Sequence, residues 1–135
     1  MDQPLQLKRA RILLADDHLA IVQRVTQLLR VVFEVVGTAH TGPEMVSEAV
    51  RLNPDVIVAD ISMPGLSGIE AAHQLREKGS TAKVVFLTVH SEDEFVNACS
   101  AVGGLGYVIK AHMKTDLIPA IHAALSGQPF VSLIS

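Results

Sequence analysis

The sequence predicts an α/β fold in which a doubly wound, five-stranded parallel sheet is covered by five helices. Short apolar runs rich in β-branched residues alternate with longer amphipathic segments along the whole chain. The short runs are predominantly apolar, as expected for parallel strands that helices cover on both faces. Five βα units imply right-handed crossovers and are too few for an eight-stranded barrel, so an open sheet is favoured.

The five predicted strands occupy residues 12–15, 33–38, 56–59, 84–87 and 107–109. The first helix is predicted over residues 18–31. Three further helices begin with the pattern S/T-x-x-E, in which a hydroxyl and a glutamate satisfy free amides, at residues 41–44, 67–70 and 91–94. The fifth helix is predicted over residues 115–126, because Gly127 ends it and Pro119 is acceptable only in a first turn.

Length and composition restrict the class of protein. The chain has 135 residues, of which 49% are apolar and 19% charged, which fits one compact domain. Its net charge of −3 argues against a nucleic-acid surface in this segment. A single cysteine, Cys99, excludes an internal disulfide and a multi-cysteine zinc site, and the six histidines lack zinc-ligand spacing. No membrane span or secretory signal is evident, so we expect a soluble, cytoplasmic protein without a membrane partner.

Polar residues of specific chemistry follow four of the five predicted strands. Asp16 and Asp17 follow the first strand, Asp60 the third, Thr88 the fourth and Lys110 the fifth. Taken singly, each could be an ordinary residue, since aspartate often caps the next helix and lysine is usually exposed. Parallel strands bring their carboxyl ends to one edge of the sheet, however, and ligands bind there. The combination therefore indicates a functional site.

Three carboxylates in one cleft would raise one another's pKa, and a divalent cation such as Mg²⁺ removes the repulsion. An ammonium and a hydroxyl beside such a cation supply what phosphoryl transfer requires. No serine or cysteine nucleophile lies beside a base, so a carboxylate is the predicted nucleophile and an acyl phosphate the product.

Four segments together resemble the receiver domains of two-component response regulators: ILLADDH, VIVADISMPGLSGIE, VVFLTVH and GYVIK. The resemblance implies a flavodoxin-like strand order of 2-1-3-4-5. It also implies a receiver domain over residues 10–127, with an N-terminal extension over residues 1–9. Residues 128–135 would then be a C-terminal tail, or the start of a linker to an output domain that this chain does not contain.

The resemblance assigns a role to each residue of the predicted site. Asp60 would be the phosphorylated residue and, with Asp17, a direct Mg²⁺ ligand. Asp16 would act through a water, and the backbone carbonyl of Ser62 would complete the set of protein ligands. Three residues would bind the phosphoryl group or report its presence, with the aromatic ring as the switch: Thr88, Lys110 and Tyr107.

Three residues are predicted to modulate rates by lying along the path of water to the phosphoryl group: Ser62, Val89 and His90. Ser62 is short and blocks little, whereas the stiff, β-branched Val89 should obstruct. Val89 stands where many receivers have Ala or Gly, and Ala111 follows Lys110 where many have Pro.

Such a domain is a phospho-acceptor rather than an enzyme, although it promotes its own phosphorylation and dephosphorylation. Its implied partners are a sensor histidine kinase or phosphotransfer protein, and a second copy of the chain in a homodimer formed on phosphorylation. Phosphorylation would switch the surface of helix 4, strand 5 and helix 5. The segments DDH, GYVIK and SGQPFVS resemble the NarL/FixJ type, which implies control of transcription through a DNA-binding domain. A stand-alone receiver that acts by protein contact or phosphorelay is the alternative.

Three other functions are disfavoured by particular residues. A flavodoxin-like cofactor binder needs a phosphate-binding loop after the first strand, which ADDHLA does not provide. A phosphatase of the haloacid dehalogenase class carries a D-x-D motif there and usually a cap domain. A degenerate receiver would be expected to have lost part of the set of Asp16, Asp17, Asp60, Thr88 and Lys110.

Overall fold

A six-stranded parallel sheet forms the centre of the molecule. The computed structural model describes residues 8–132, and its strand order is β2-β1-β3-β4-β5-β6. The strands are β1 (Arg11–Ala15), β2 (Glu34–Ala39), β3 (Val56–Ala59), β4 (Lys83–Thr88), β5 (Gly106–Ile109) and β6 (Phe130–Val131). The doubly wound α/β fold and the first five strands agree with prediction to within one residue at each end. The prediction of only five strands is wrong.

Five α-helices connect the strands: α1 (Leu19–Leu29), α2 (Gly42–Leu52), α3 (Gly68–Glu77), α4 (Asp93–Ala101) and α5 (Met113–Leu125). A 3₁₀ turn over Lys110–His112 precedes α5. The Thr41 and Ser67 hydroxyls accept the backbone N–H groups of Glu44 and Glu70, each at 3.1 Å, as the sequence pattern predicts.

The predicted cap at Ser91 is wrong. Helix α4 begins one residue later, with Glu92 at the N-cap and no side-chain capping bond. Instead, the Glu92 carboxylate accepts the backbone N–H of Ser91 at 3.0 Å. The Ser91 N–H is therefore bound by the adjacent Glu92 rather than by Glu94, which is the residue that the pattern predicts.

The predicted bounds of two helices also need correction. Helix α1 ends at Leu29 rather than at residue 31. Helix α5 begins at Met113, so Pro119 lies in its interior rather than in its first turn. The apolar face of α5 explains the earlier start, because Met113 and Leu117, one turn apart, are both buried. Pro119 lies on the exposed side, where the carbonyl that its missing N–H leaves free can be hydrated.

Strand β6 extends the sheet beyond β5 and uses residues that were predicted to be a tail. Gly127 allows the chain to turn back with a φ of +73°. Phe130 and Val131 then pair in parallel with β5, and the Ser132 N–H donates to the Tyr107 carbonyl at 2.8 Å. The boundaries predicted at residues 1–9 and 128–135 stay predictions, and residues 1–7 and 133–135 lie outside the described part of the chain.

The sheet separates two apolar cores. One lies under α1 and α5 and includes Ile12, Leu29 and Leu117. The other lies under α2, α3 and α4 and includes Met45 and Phe86. Helix α4 contributes only one fully buried side chain, that of Cys99. Within residues 8–132, none of the helices has the length and apolarity that crossing a bilayer requires.

Candidate functional site

The carboxyl ends of the central strands bring the predicted polar residues to one edge of the sheet. Strands β1 and β3 are neighbours with Ala15 opposite Ala59, so Asp16 and Asp60 follow side by side. The Asp60 N–H donates to the Ala15 carbonyl at 2.8 Å, which continues the ladder into the site. Lys110 follows β5, which lies two strands from β3 and three from β1. Its long side chain reaches back to both carboxylates.

Lys110 forms ion pairs with both buried aspartates. Its Nζ lies 3.0 Å from Asp60 Oδ2 and 2.9 Å from Asp16 Oδ2. Asp16 and Asp60 are only 5% and 4% exposed. One ammonium therefore faces two carboxylates in a region with little solvent, and the group as a whole keeps a negative charge that a cation would balance.

Burial and the ammonium act in opposite directions on Asp60. Removal from water raises the pKa of Asp60, and the hydrogen bond and positive charge of Lys110 lower it, with the increase prevailing. For Lys110, burial lowers the pKa, and its close contacts with Asp16 and Asp60 raise it, with a net increase. Lys110 is therefore charged at neutral pH and can face an anion.

The donor atoms of the site suit a hard divalent cation. Ligand atoms from Asp16, Asp17, His18 and Asp60 lie within 4.8 Å of one another. Asp16 Oδ2 is buried and, among the described residues, has no hydrogen-bond partner, since its contact with Lys110 lacks the angle that a hydrogen bond needs. Asp17 is more exposed, which gives a cation access from solvent. These residues fit the Mg²⁺ site that the sequence predicts.

Thr88 and Tyr107 meet at the backbone of the β4–α4 loop. The buried Thr88 hydroxyl accepts the His90 N–H at 3.2 Å, and the Tyr107 hydroxyl donates to the His90 carbonyl at 2.8 Å. Burial, together with the charges of Cys99 and Glu92, raises the pKa of Tyr107 to about 12, so the phenol stays a donor. The backbone of His90 thus connects Thr88 to the ring of Tyr107.

Two of the three predicted rate-modulating residues contact each other. Ser62 Oγ and His90 Nε2 are 3.3 Å apart and link the loops that follow β3 and β4. The His90 ring stacks on Phe95 of α4, with a centroid distance of 4.2 Å and an interplanar angle of 18°. Val89 is 70% exposed and does not belong to this stack. The Lys110–Ala111 peptide is trans, as are the other described peptide bonds.

The turn that carries Asp60 into α3 depends on a glycine. A Cβ at Gly68 would overlap the Asp60 carbonyl oxygen. The Gly68 N–H also donates to the Ile61 carbonyl at 2.7 Å, which closes the loop over the site. The tight packing of the α3 N-terminus against the Asp60 backbone therefore needs a residue without a side chain.

Sequence reasoning missed two residues at the site. His18 contacts both Asp16 and Asp17, although it was set aside because the histidines lack zinc-ligand spacing. Its position directly after two strand-end carboxylates was the signal that could have found it. Phe95 gave no such signal, because an aromatic residue in a helix is usually part of the core.

The chain belongs to the family of response regulator receiver domains, which its sequence matches over residues 12–122. It is 36% identical over 125 residues to the nitrate/nitrite response regulator protein NarL of Escherichia coli K12, covering 91% of this chain and 58% of that protein. It is 35% identical over 124 residues to the response regulator GacA of Pseudomonas viridiflava, with 90% and 58% covered. The chain thus spans less than two thirds of the length of these curated relatives.

Solved structures agree with this placement. A LuxR-family two-component response regulator from Aurantimonas sp. SI85-9A1 superposes with a TM-score of 0.86 at 31% identity, covering 91% of this chain and 89% of that one. The receiver domain of NarL from Mycobacterium tuberculosis gives a TM-score of 0.86 at 25% identity, with 90% and 100% covered. The receiver fold and the NarL/FixJ type are thereby confirmed. Receiver domains are regulatory modules rather than classical enzymes, and they interact with histidine kinases or phosphotransfer proteins.

Proposed function

We propose that this chain is a phosphorylation switch that accepts a phosphoryl group on Asp60 from a sensor histidine kinase or a phosphotransfer protein. The observation that carries the proposal is the arrangement of buried Asp60 and Asp16 around the single ammonium of Lys110. A nucleophilic carboxylate beside a fixed cation, with a cation site on its other side, fits transfer to a carboxylate better than hydrolysis by water.

Each residue of the site has a distinct role in the transfer of the phosphoryl group. Lys110 holds Asp60 Oδ2, which leaves Oδ1 to attack phosphorus as the bond between phosphorus and the donor nitrogen breaks. Asp16, Asp17, Asp60 and the Ser62 carbonyl would hold Mg²⁺, which when bound neutralises charge on the phosphoryl oxygens. Lys110 and the Thr88 hydroxyl would contact those oxygens in the product.

Phosphorylation then changes the surface through Thr88. Its hydroxyl now accepts the His90 N–H, and turning towards the phosphoryl group would break that bond. The His90 carbonyl belongs to the same loop and accepts the Tyr107 hydroxyl, so the loop, the ring and α4 would move together. A local charge that biases a two-state element is a common form of switch.

We further infer that the output is control of transcription by a DNA-binding domain that follows the receiver. The support is the likeness to NarL and GacA, of whose lengths the chain covers 58%. A stand-alone receiver acting by phosphorelay is the alternative. Reading the gene beyond the codon for Ser135 separates the two, because a helix-turn-helix segment there supports the first and a stop codon the second.

Replacement of Asp60 by Asn tests the central proposal. We expect Asp60→Asn to abolish Mg²⁺-dependent labelling by a small acyl-phosphate donor and by a phosphohistidine kinase, since an amide is a poor nucleophile. Asp93→Asn, on the exposed first turn of α4, is the matched control and should be labelled normally. Labelling of Asp60→Asn at the wild-type rate would show that Asp60 is not the acceptor.

A further inference from the structure

His18 lies against the acidic cluster, and its ring approaches two carboxylates at once. Its Nδ1 is 3.1 Å from Asp16 Oδ1 and 3.1 Å from Asp17 Oδ1. One ligand atom from each of these three residues and from Asp60 lies within 4.8 Å of the others. We propose that His18 Nδ1 is a metal ligand, and that the site therefore binds first-row transition dications such as Fe²⁺, Co²⁺ and Ni²⁺ in addition to Mg²⁺. The inference rests on the proposed metal site.

The spacing of these atoms suits a six-coordinate cation. With metal–ligand bonds of about 2.1 Å, adjacent ligand atoms of an octahedron are about 3.0 Å apart. The two distances from Nδ1 match that separation before any cation is bound. The third carboxylate, that of Asp60, lies within the span of the same group.

Lys110 does not compete for this position. The ammonium lies beside Asp16 Oδ2, whereas His18 lies beside Asp16 Oδ1. The two oxygens of one carboxylate thus face two different side chains, so a cation bound beside Oδ1 and Nδ1 would not replace Lys110. The ammonium does not contact Asp17 within 4.0 Å. The Asp17 carboxylate, 3.1 Å from His18 Nδ1, is therefore the second oxygen donor for a cation beside Asp16 Oδ1.

The backbone holds His18 in place, and its ring faces the carboxylates, with Nδ1 hydrogen-bonded to Asp16 Oδ1 at 3.1 Å. The residue is the N-cap of α1, and its N–H donates to Asp16 Oδ1 at 2.8 Å. The side chain makes no capping bond and is 64% exposed. A cation bound at Nδ1 would replace the hydrogen bond that Nδ1 makes with Asp16, and the neutral ring would then carry its proton on Nε2.

The chemistry of the donor set determines the selectivity. Mg²⁺ prefers oxygen ligands and keeps several waters, so an imidazole adds little to its binding. Affinity for first-row dications rises from Mn²⁺ to Ni²⁺, and imidazole suits Fe²⁺, Co²⁺ and Ni²⁺. A nitrogen among carboxylates therefore shifts preference towards these ions without excluding Mg²⁺.

The test uses Co²⁺, because its unpaired electrons mark the ligands that it touches. Titration calorimetry gives the affinities for Co²⁺ and Mg²⁺, and proton NMR of the Co²⁺ form detects strongly shifted imidazole resonances. We expect shifted resonances in the wild type that vanish in His18→Gln. We also expect the ratio of Co²⁺ to Mg²⁺ affinity to fall at least about tenfold, since even residues that only orient a ligand change affinity roughly 10- to 100-fold.

Two controls separate the possible causes. His40 also places Nδ1 near a carboxylate, at 3.5 Å from Glu44, and is 47% exposed, so His40→Gln should leave the ratio and the shifted resonances unchanged. His73→Gln is the second control, because His73 lies on α3 with Nε2 2.9 Å from Glu77 and is 58% exposed, and it should likewise change neither readout. Two results in His18→Gln would overturn the proposal. One is that the shifted imidazole resonances persist, and the other is that the ratio of Co²⁺ to Mg²⁺ affinity is unchanged.

Asp17→Asn distinguishes failure of this inference from failure of the proposed function. Weaker binding of both cations in Asp17→Asn supports the carboxylate site, whatever His18 does. Unchanged affinity for both cations in that variant would remove the metal site itself, and this inference with it.

Discussion

At the scale of single residues, one ammonium contacts two buried carboxylates, and this explains why Lys110 matters more than a typical lysine. Its Nζ lies within 3.0 Å of both Asp16 and Asp60. A surface ion pair contributes little, whereas the loss of one partner from a buried group leaves charge uncompensated. The site is therefore sensitive to changes that leave the rest of the fold intact.

We expect Lys110→Ala to remain folded but to lose the coupling between phosphorylation and the surface of α4, β5 and α5. The ammonium is the direct connection between the end of β5 and the Asp60 carboxylate. Amide chemical shifts on addition of beryllofluoride with Mg²⁺ report the coupling. Shifts spread over residues 88–110 are expected in the wild type and should be absent in the variant. A wild-type response in Lys110→Ala would contradict the coupling role.

Val89 allows a test of the water path that is free of large stability effects. The side chain is 70% exposed, so truncation should change the free energy of unfolding little. If Val89 obstructs the approach to the phosphoryl group, Val89→Ala should speed both labelling by small donors and decay of the aspartyl phosphate. A change of about tenfold corresponds to ~1.4 kcal/mol of barrier.

The comparison for Val89→Ala is Val50→Ala. Val50 lies on α2 and is 62% exposed, so it matches Val89 in residue type and exposure while lying on a different element. Lifetimes of the phosphorylated protein that are equal in the wild type and Val89→Ala would show that Val89 does not gate the site.

At the scale of elements, β6 ties the end of the described chain to the strand and helix that carry the proposed output. Ser132 Oγ accepts the Ile109 N–H at 3.2 Å and donates to Asp116 Oδ2 at 2.7 Å. The sixth strand also occupies the open edge of β5. A partner on the predicted surface of helix 4, strand 5 and helix 5 would therefore contact helix faces rather than pair with β5.

We expect Ser132→Ala to lower the free energy of unfolding by about 1–3 kcal/mol, because a backbone N–H is left without its acceptor in a region with little solvent. Thr115→Ala is the matched control. Its hydroxyl also bonds to Asp116, at 3.0 Å, but is exposed, so its loss should cost under about 0.5 kcal/mol. Urea denaturation measures the free energy of unfolding of both variants. Equal, small losses in the two would mean that the hydrogen bonds of Ser132 do not stabilise β6.

Periodicity in the sequence predicts long elements well and short ones poorly. Strands β1 to β5 are predictable because each contains a short run of mostly apolar, often β-branched residues, and the polar residues at their ends follow from the same runs. Strand β6 has only two residues, Phe130 and Val131, which form no pattern. The pattern at Ser91 failed because the glutamate beside the serine took its N–H, and the start of α5 shifted because burial of Met113 outweighed the cost of Pro119.

The site shows the same division between pattern and packing. Asp16, Asp60 and Lys110 come together because parallel strands align their ends, which topology alone predicts. The stack of His90 on Phe95 depends on how α4 lies over its loop, which no spacing in the sequence reports. The contact of His18 with both carboxylates likewise depends on the turn that enters α1.

At the scale of the whole molecule, the interior under α4 holds two acidic protons that folding makes harder to remove. Burial raises the pKa of Cys99 to about 12. Burial, with the charges of Cys99 and Glu92, raises that of Tyr107 to about 12 as well. Both residues belong to the core beneath α2, α3 and α4. Helix α4, with Cys99 as its one buried residue, thus covers a part of the core in which folding favours the neutral forms of Cys99 and Tyr107.

This arrangement predicts a loss of stability at alkaline pH. Above pH 9.0, the ordinary pKa of Cys99, the unfolded chain loses its thiol proton while the folded chain keeps it. The unfolded state then binds fewer protons, so the free energy of unfolding falls as pH rises towards 12. The contribution of Cys99 is at most about 1.4 kcal/mol per pH unit. Urea denaturation under reducing conditions, followed by circular dichroism between pH 7 and 11, measures it.

Cys99→Ala isolates the thiol from the other groups that titrate in this range. The lysines contribute equally to both proteins, so the difference in slope between the wild type and the variant belongs to Cys99 and to its effect on the pKa of Tyr107. We expect a shallower fall in the variant above pH 9, whatever constant amount of stability the smaller side chain costs at neutral pH. Parallel curves would mean that the thiol ionises as readily in the folded protein as in the unfolded chain. In that case α4 would not shield the core that connects Tyr107 to the phosphorylation site.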